Sequence, residues 1–338
     1  MSFKHCPSLV KGLVGVALLA PVSTAAAEAA GTSRAGTFGG LSAARGTVVY
    51  GGATAQDAPF GLVASRGGHR LARLHLYVRG RCADGNTAVY AGVARFRNVL
   101  PAVIDEGDNV LAARRVGRRG KVRASGRAVA GYGREVVGLI REELRGRLRS
   151  DGIASGTLRL RWKLKDRRTD AIVTTCYSGN LRWVAKSAPG RVFAGLTSFG
   201  QPVVVELARD AASVTRFRIG WSVDCRPSGG WTWGERLERF PIRRGRFGDS
   251  LEQPYQRDDG GVNTFSYKLR GRLRGAQASG SFTVAVRETD AAGSTIFDCG
   301  PSSVRWAAAS TVGRPRMQRP GSDRERWRGK VVPPGSDA

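Results

Sequence analysis

The chain has 338 residues, 55 Lys and Arg against 27 Asp and Glu, and a formal net charge of +28. The length is enough for two domains, and a charge excess on this scale favours polyanionic partners over cationic ones.

The first 27 residues read as an export signal. Lys4 and Lys11 supply positive charge, Leu13 to Ala20 form a short apolar run, Pro21 breaks it, and Ser23 to Ala27 offer small residues for cleavage. The run is far short of the ~20 apolar residues of a spanning helix, and no second stretch of membrane length follows. The expected location is therefore secreted, extracellular or associated with the cell envelope. Cys6 precedes the apolar run and leaves with the signal. Residues 28–47 read as a linker, and residues 310–338 as a basic tail whose Arg, Pro and Gly content predicts disorder.

Four cysteines remain: Cys82, Cys176, Cys225 and Cys299. In an exported chain an even number predicts two disulfides, although four cysteines alone allow three pairings. An internal repeat chooses among them. Tyr50-Gly-Gly-Ala-Thr54 with Pro59 matches Phe193-Ala-Gly-Leu-Thr197 with Pro202, and the aromatic lies equally far before a Cys in both copies, 50 to 82 and 193 to 225. Leu144 to Arg149 recurs letter for letter as Leu269 to Arg274, and Ala154-Ser155-Gly156 as Ala278-Ser279-Gly280. The second Cys precedes a Trp by the same interval, Cys176 to Trp183 and Cys299 to Trp306. We read this as a duplication. The copies run 48–187 and 191–309, and the economical pairing is Cys82–Cys176 and Cys225–Cys299, one per copy. The first copy is longer, and its extra residues fall around 101–133, a Gly- and Arg-rich stretch expected to be a surface loop.

Each copy reads as β. Phe217, Ile219, Trp221, Val223 and Cys225 alternate with polar residues, as do Leu74, Leu76, Val78 and Cys82. Leu158, Leu160, Trp162 and Leu164 alternate with Arg159, Arg161, Lys163 and Lys165. Val136, Val137, Ile140, Leu144 and Leu148 also fit a helix, but the counterpart Phe265, Tyr267, Leu269 and Leu273 alternates, so a strand is expected in both copies. The fold class is all-β: two tandem antiparallel β-sandwich or small β-barrel modules, each with one disulfide.

The Tyr-Gly-Gly-x-Thr and Pro landmarks, the first Cys, the Ala-Ser-Gly and the Cys followed by Trp resemble those of a broad group of secreted proteins. These come from bacteria with GC-rich genomes and carry a duplicated Cys-containing β module. The resemblance covers residues 50 to about 309. The group has no assigned activity, so the resemblance implies a structural framework and no functional residues.

A search for chemistry is largely negative. His69 and His75 show no metal-site spacing; His75 falls on the polar face of its strand, and Arg218 occupies the equivalent position, so both are expected to be solvated. No nucleophile context, phosphate loop or repeated carboxylate pair emerges, and Glu235 and Glu238 have no counterparts in the first copy. No cofactor is expected and the chain is read as non-enzymatic, an unrecognised secreted hydrolase being the third alternative.

The remaining signal is basic. Arg79 and Arg81 lie on one predicted strand face and Arg159, Arg161 and Lys163 on another, while Arg145 and Arg147 match Arg270 and Arg272. Guanidinium groups gathered on a sheet suit phosphate or carboxylate ligands. The expected function is a binding module recognising an anionic cell-wall polymer or other polyanion. The alternative is a structural or protein-interaction module of the envelope, its arginines reflecting GC-rich coding. Trp231 and Trp233, in a Gly-rich segment, either stack on a ligand or close the end of a β core.

Overall fold

A computed structural model describes residues 47–65, 70–97, 109–113, 116–132, 135–226 and 230–312. The signal, the linker up to residue 46, His69 and the tail beyond residue 312 lie outside these, as do the side chains of Trp231 and Trp233.

The first module contains nine strands: β1 (Val48–Thr54), β2 (Pro59–Ala64), β3 (Leu71–Cys82), β4 (Thr87–Arg97), β5 (Asn109–Ala113), β6 (Lys121–Tyr132), β7 (Val136–Leu148), β8 (Ile153–Asp166) and β9 (Ile172–Lys186). They pair in sequence order, and β9 returns to β1 to close a barrel. Of the two architectures the alternation allowed, this is the barrel. Every pairing is antiparallel except β4 with β5, which is parallel. The stretch expected as a surface loop therefore holds structure: β5 and β6 both lie within residues 101–133. The segment open to a helical reading is the strand β7.

The second module repeats the plan with one omission. It comprises β10 (Val192–Thr197), β11 (Pro202–Leu207), β12 (Ser213–Arg226), β13 (Gly230–Leu237), the short β14 (Phe240–Pro241), β15 (Arg246–Gln256), β16 (Val262–Arg274), β17 (Gln277–Thr289) and β18 (Thr295–Ser310). Its path runs β13-β12-β11-β10-β18-β17-β16-β15, and β13 does not pair with β15, so the sheet stays open.

Equivalent residues hold equivalent places. Gly52 pairs with Ala185 and Gly195 with Ala308, where a Cβ would lie 2.0 Å from the Val184 carbonyl oxygen or 1.9 Å from that of Ala307. Only glycine fits so close to a neighbouring backbone. Trp183 stacks on Phe60 with ring centroids 4.6 Å apart, and Trp306 packs edge-on against Phe217 at 5.2 Å. The disulfides are Cys82–Cys176 and Cys225–Cys299, each joining directly opposed residues of the third and last long strands, β3 to β9 and β12 to β18.

The two modules pack back to back through their opening strands. A Cβ added at Gly51 would lie 3.0 Å from Val204, and one added at Gly61 would lie 3.2 Å from Ala194. Ala194 corresponds to Gly51 and Val204 to Gly61, so the contact is reciprocal, like an isologous dimer interface within one chain. Val49, Ala194 and Val204 form its small apolar centre. Tyr77, 1% exposed, lies against Gly220 and donates to the Thr232 carbonyl at 3.1 Å. Val49 N donates to Thr311 Oγ1 at 2.8 Å, and that hydroxyl meets Ser187 at 2.9 Å.

This interface corrects two expectations. His75 is 0% exposed and Arg218 is 5% exposed, because the polar face of each third strand is covered by the opposite module. Burial, with Arg73 nearby, pushes the His75 imidazole down to about 4, and the Gly195 main chain offsets this only in part. Arg218 is paired on both sides, with Glu206 at 2.6 Å and with Asp57 of the first module at 3.1 Å. Arg236 also bonds Asp57.

Arg218→Ala would leave Glu206, nearly buried, with only the more distant Arg216 at 3.8 Å and would take a cation from Asp57, and a stability loss of about 3 kcal/mol is expected. Arg216, half exposed and 3.6–3.8 Å from its carboxylates, should cost less than about 0.5 kcal/mol on the same change. Urea midpoints of the two variants check the contrast.

Candidate anion-binding face

Alternation sends the apolar half of β6 to β9 into the barrel: Val122, Ala124, Ala128, Ile140, Leu144, Leu158, Leu160, Trp162, Cys176, Leu181 and Trp183 are all buried. The other half faces outward, and strand register lines up its charges across the sheet. Arg127, Arg141 and Arg161 stand directly abreast, followed by Tyr177 and then Arg81 of β3. Arg123, Arg145, Thr157 and Arg182 make a second row, and Lys121, Arg147 and Ser155 a third. Between the first two rows, Ser125, Glu143, Arg159 and Asn180 contribute one carboxylate and one guanidinium.

All the arginines in these rows are exposed, and Lys163 is half-buried. Directly opposed residues on a sheet face have Cβ atoms about 5 Å apart, and like charges at that range repel. Glu143, 3.8 Å from Arg145, is the one acid in these rows. Arg161 lies 5.2 Å from the Tyr177 ring centre, a cation–π contact that fixes its direction without neutralising it. The result is a fan of guanidinium groups about three strands wide, whose charge Glu143 offsets only in part.

Of the residues expected to bind anions, the fold brings Arg145, Arg147, Arg159, Arg161 and Lys163 onto this face, with Arg81 at its margin beyond Tyr177. Arg79 is elsewhere: half-buried, its main-chain N–H and side chain hydrogen-bond Gln56 in the β1–β2 turn. Arg270 and Arg272 are exposed but belong to the other sheet. The sequence reading missed Lys121, Arg123, Arg127, Arg141 and Arg182. Each lies at an outward position of its strand, a signal present in the alternation of β7 but hidden in β6 by the Gly- and Arg-rich composition.

The matching face of the second module is different. Arg246, Arg272 and Ser279 form one row and Gly248, Arg270, Ser281 and Arg305 another, but the next is Ser250, Lys268, Thr283 and Ser303. Where the first module has Arg159 and Arg161, the second has Thr283 and Ala285.

From Arg182 the basic face runs into a groove of about 340 Å³ between the modules. Lys186 and Arg182 line one side, and Arg216 and Arg218, both held by carboxylates, line the other.

Inside the barrel lies a polar cluster that sequence reading did not find. Glu142, 1% exposed, points inward from β7 and accepts from Asn109 Nδ2 at 3.0 Å, and the same amide reaches the Tyr90 hydroxyl. Its second oxygen has no partner among the described residues. Burial pushes this carboxyl up to about 7 despite the hydrogen bonds from Tyr90 and Asn109. No group of three or more His, Cys, Asp or Glu suited to a metal occurs among the described residues.

Glu142 has a testable signature. Its carboxyl holds a proton in the folded state up to about pH 7 but loses it near 4.5 when unfolded, so folding stability falls as pH rises through that window. Glu142→Gln should remove this loss, with a gain of up to about 3 kcal/mol at pH 8 and little change at pH 4. Urea unfolding at both pH values measures the difference.

In comparison with known proteins, the chain matches no family model, no curated protein and no solved structure.

Proposed function

We propose that the chain is a non-enzymatic binding module that engages an anionic polymer through the outer face of β6 to β9. The observation that carries this reading is the row Arg127–Arg141–Arg161, three like charges abreast with no acid among them. Such an arrangement costs stability on its own and is relieved by phosphate or carboxylate groups laid across it. The concentration of charge on one module supports the same reading. Coding bias alone would spread arginine over both copies, whereas the second module carries Ser266, Thr283 and Ala285 at the corresponding outward positions.

An extracellular or envelope-bound site of action follows from the export signal expected at the N-terminus, and two disulfides fit an oxidising compartment. Among the described residues no helix is long and apolar enough to cross a membrane. The eligible ligands are polymers with regularly repeated negative charge, an anionic cell-wall polymer first among them.

Replacing Arg159, Arg161 and Lys163 by Gln should weaken binding to purified cell wall or soluble polyphosphate at least tenfold. The slope of log affinity against log salt should flatten by about 0.7–0.9 for each phosphate that the variant no longer neutralises. Arg270→Gln with Arg272→Gln serves as the control on the other module and should change little. Equal affinity in the two variants would contradict the assignment of the site.

A further inference from the structure

The face that carries the arginine rows also carries exposed apolar side chains. Among the described residues nine large apolar side chains are exposed, and five of them lie on β7 and β9: Leu139, Ile172, Val173, Tyr177 and Val184. Leu139 is 39% exposed, Ile172 53% and Val173 59%. Single apolar residues scattered over a surface are ordinary, whereas a concentration beside one set of charges marks an interaction surface.

Register groups them. Leu139 pairs with Lys163, and Lys163 with Thr175; in the row beyond, Val137 pairs with Lys165 and Lys165 with Ile172. A register shift at Leu164 and Lys165 leaves Val173 as the extra residue of a bulge, so Ile172 and Val173 are both exposed while Thr174 is buried. In the other direction the next row is Arg141, Arg161 and Tyr177, about 7 Å from Leu139 at two residues of strand rise. The order along the face is therefore aliphatic, then Lys163, then tyrosine with arginine, then further arginines.

An anionic bilayer surface presents the complementary order. Aliphatic side chains enter the acyl boundary by about 5–10 Å, a lysine stem spans the boundary, tyrosine sits at headgroup level and guanidinium groups hold phosphates. A soluble polymer would satisfy the arginines but leave Leu139, Ile172 and Val173 in water. A second copy of the chain, docked through the same face, would set arginine rows against arginine rows. The second module changes both features together: it has Thr264, Thr295 and Gly300 where the first has Leu139, Ile172 and Tyr177, and it keeps only Ile296, opposite Val173 in the repeat.

The end of the barrel is itself charged. The turn between β8 and β9 holds Arg167, Arg168 and Asp170, with Glu135 beside it. Asp170 is paired with Lys165 at 2.8 Å, and Asp166 accepts the main-chain N–H groups of Arg168 and Thr169 at 2.9 and 2.7 Å. Contact is made by the face laid flat and not by the tip.

We propose that the outer face of β7 to β9 docks the protein flat on an anionic lipid surface, with Leu139, Ile172 and Val173 entering the acyl boundary and Arg141, Arg145 and Arg161 meeting lipid phosphates. This rests on the reading of the same face as an anion site and sets that site at a membrane.

The experiment is co-sedimentation of the disulfide-bonded chain from residue 28 onward with vesicles of equal parts phosphatidylglycerol and phosphatidylcholine, beside its affinity for soluble polyphosphate. Leu139→Thr with Ile172→Thr and Val173→Thr keeps strand-forming residues at exposed positions, so the fold is retained. This variant should bind the vesicles roughly tenfold more weakly or worse and polyphosphate equally well. The Arg159, Arg161 and Lys163 variant should lose affinity for both. A wild-type chain that stays off the vesicles, or a threonine variant that binds them equally well, overturns the proposal; polyphosphate binding that persists in that case leaves the anion site standing. No loss in either assay for the arginine variant overturns both readings. A doubled mass that the threonine variant abolishes would assign the face to a second copy and also overturns the proposal.

Discussion

The last long strand of each module holds the architecture together. β9 is paired with β8 along one side, while its other side is shared: Cys176 and Tyr177 pair with β3, and Trp183 to Lys186 pair with β1. β18 divides itself between β12 and β10 in the same way. Sharing one edge between two partners pushes the intervening hairpin, β1–β2 or β10–β11, out as a flap on the barrel wall. Those two flaps are the surfaces that meet between the modules. The disulfides sit at the branch point, where the partner changes, and constrain the unfolded chain over separations of 94 and 74 residues.

The flaps explain where polar groups are buried. A barrel wall facing solvent would place His75 and Arg218 in water; a flap pressed against its counterpart does not. The two sites correspond in the repeat but solve burial differently. His75 stays neutral over the ordinary pH range, whereas Arg218 keeps its charge and recruits Asp57 and Glu206. A reciprocal interface whose paired positions have diverged tolerates both, because each position faces a different part of the opposite module.

Period-two alternation made most strands legible, including β3, β8, β12 and β16, and equal spacing in the repeat made the disulfide pairing legible. What alternation cannot report is which outward face another module covers, so His75 and Arg218 read as solvated. Nor can it report closure, since that rests on β5, five residues inside a Gly- and Arg-rich stretch and paired in parallel with β4. Glu142 escaped notice because Arg141 and Glu143 flank it, and a run of three charged residues reads as surface although the middle one points inward. The arginine rows were half visible: β7 and β8 were read as strands, but β6 fell in the stretch read as a loop, and which arginine faces which depends on register across four strands, set by hairpin turns far from the charges.

Closure and charge are linked. Three arginines abreast repel by roughly 0.2–1 kcal/mol per adjacent pair, and a sheet that bears such rows must be held from elsewhere. The first module is closed all round, so every strand beneath the basic face is hydrogen-bonded on both sides, and its core runs from Val48 to Ala185 without interruption. The second module, open between β13 and β15, has Ser, Thr and Ala at the matching outward positions and places its spare acids at the opening. The same framework has thus been used in two ways: a closed barrel that tolerates a repulsive outer face, and an open one whose two end strands carry the carboxyls of Glu235 and Asp249. In a chain carrying +28, an acidic edge of that kind is the feature that composition alone explains least.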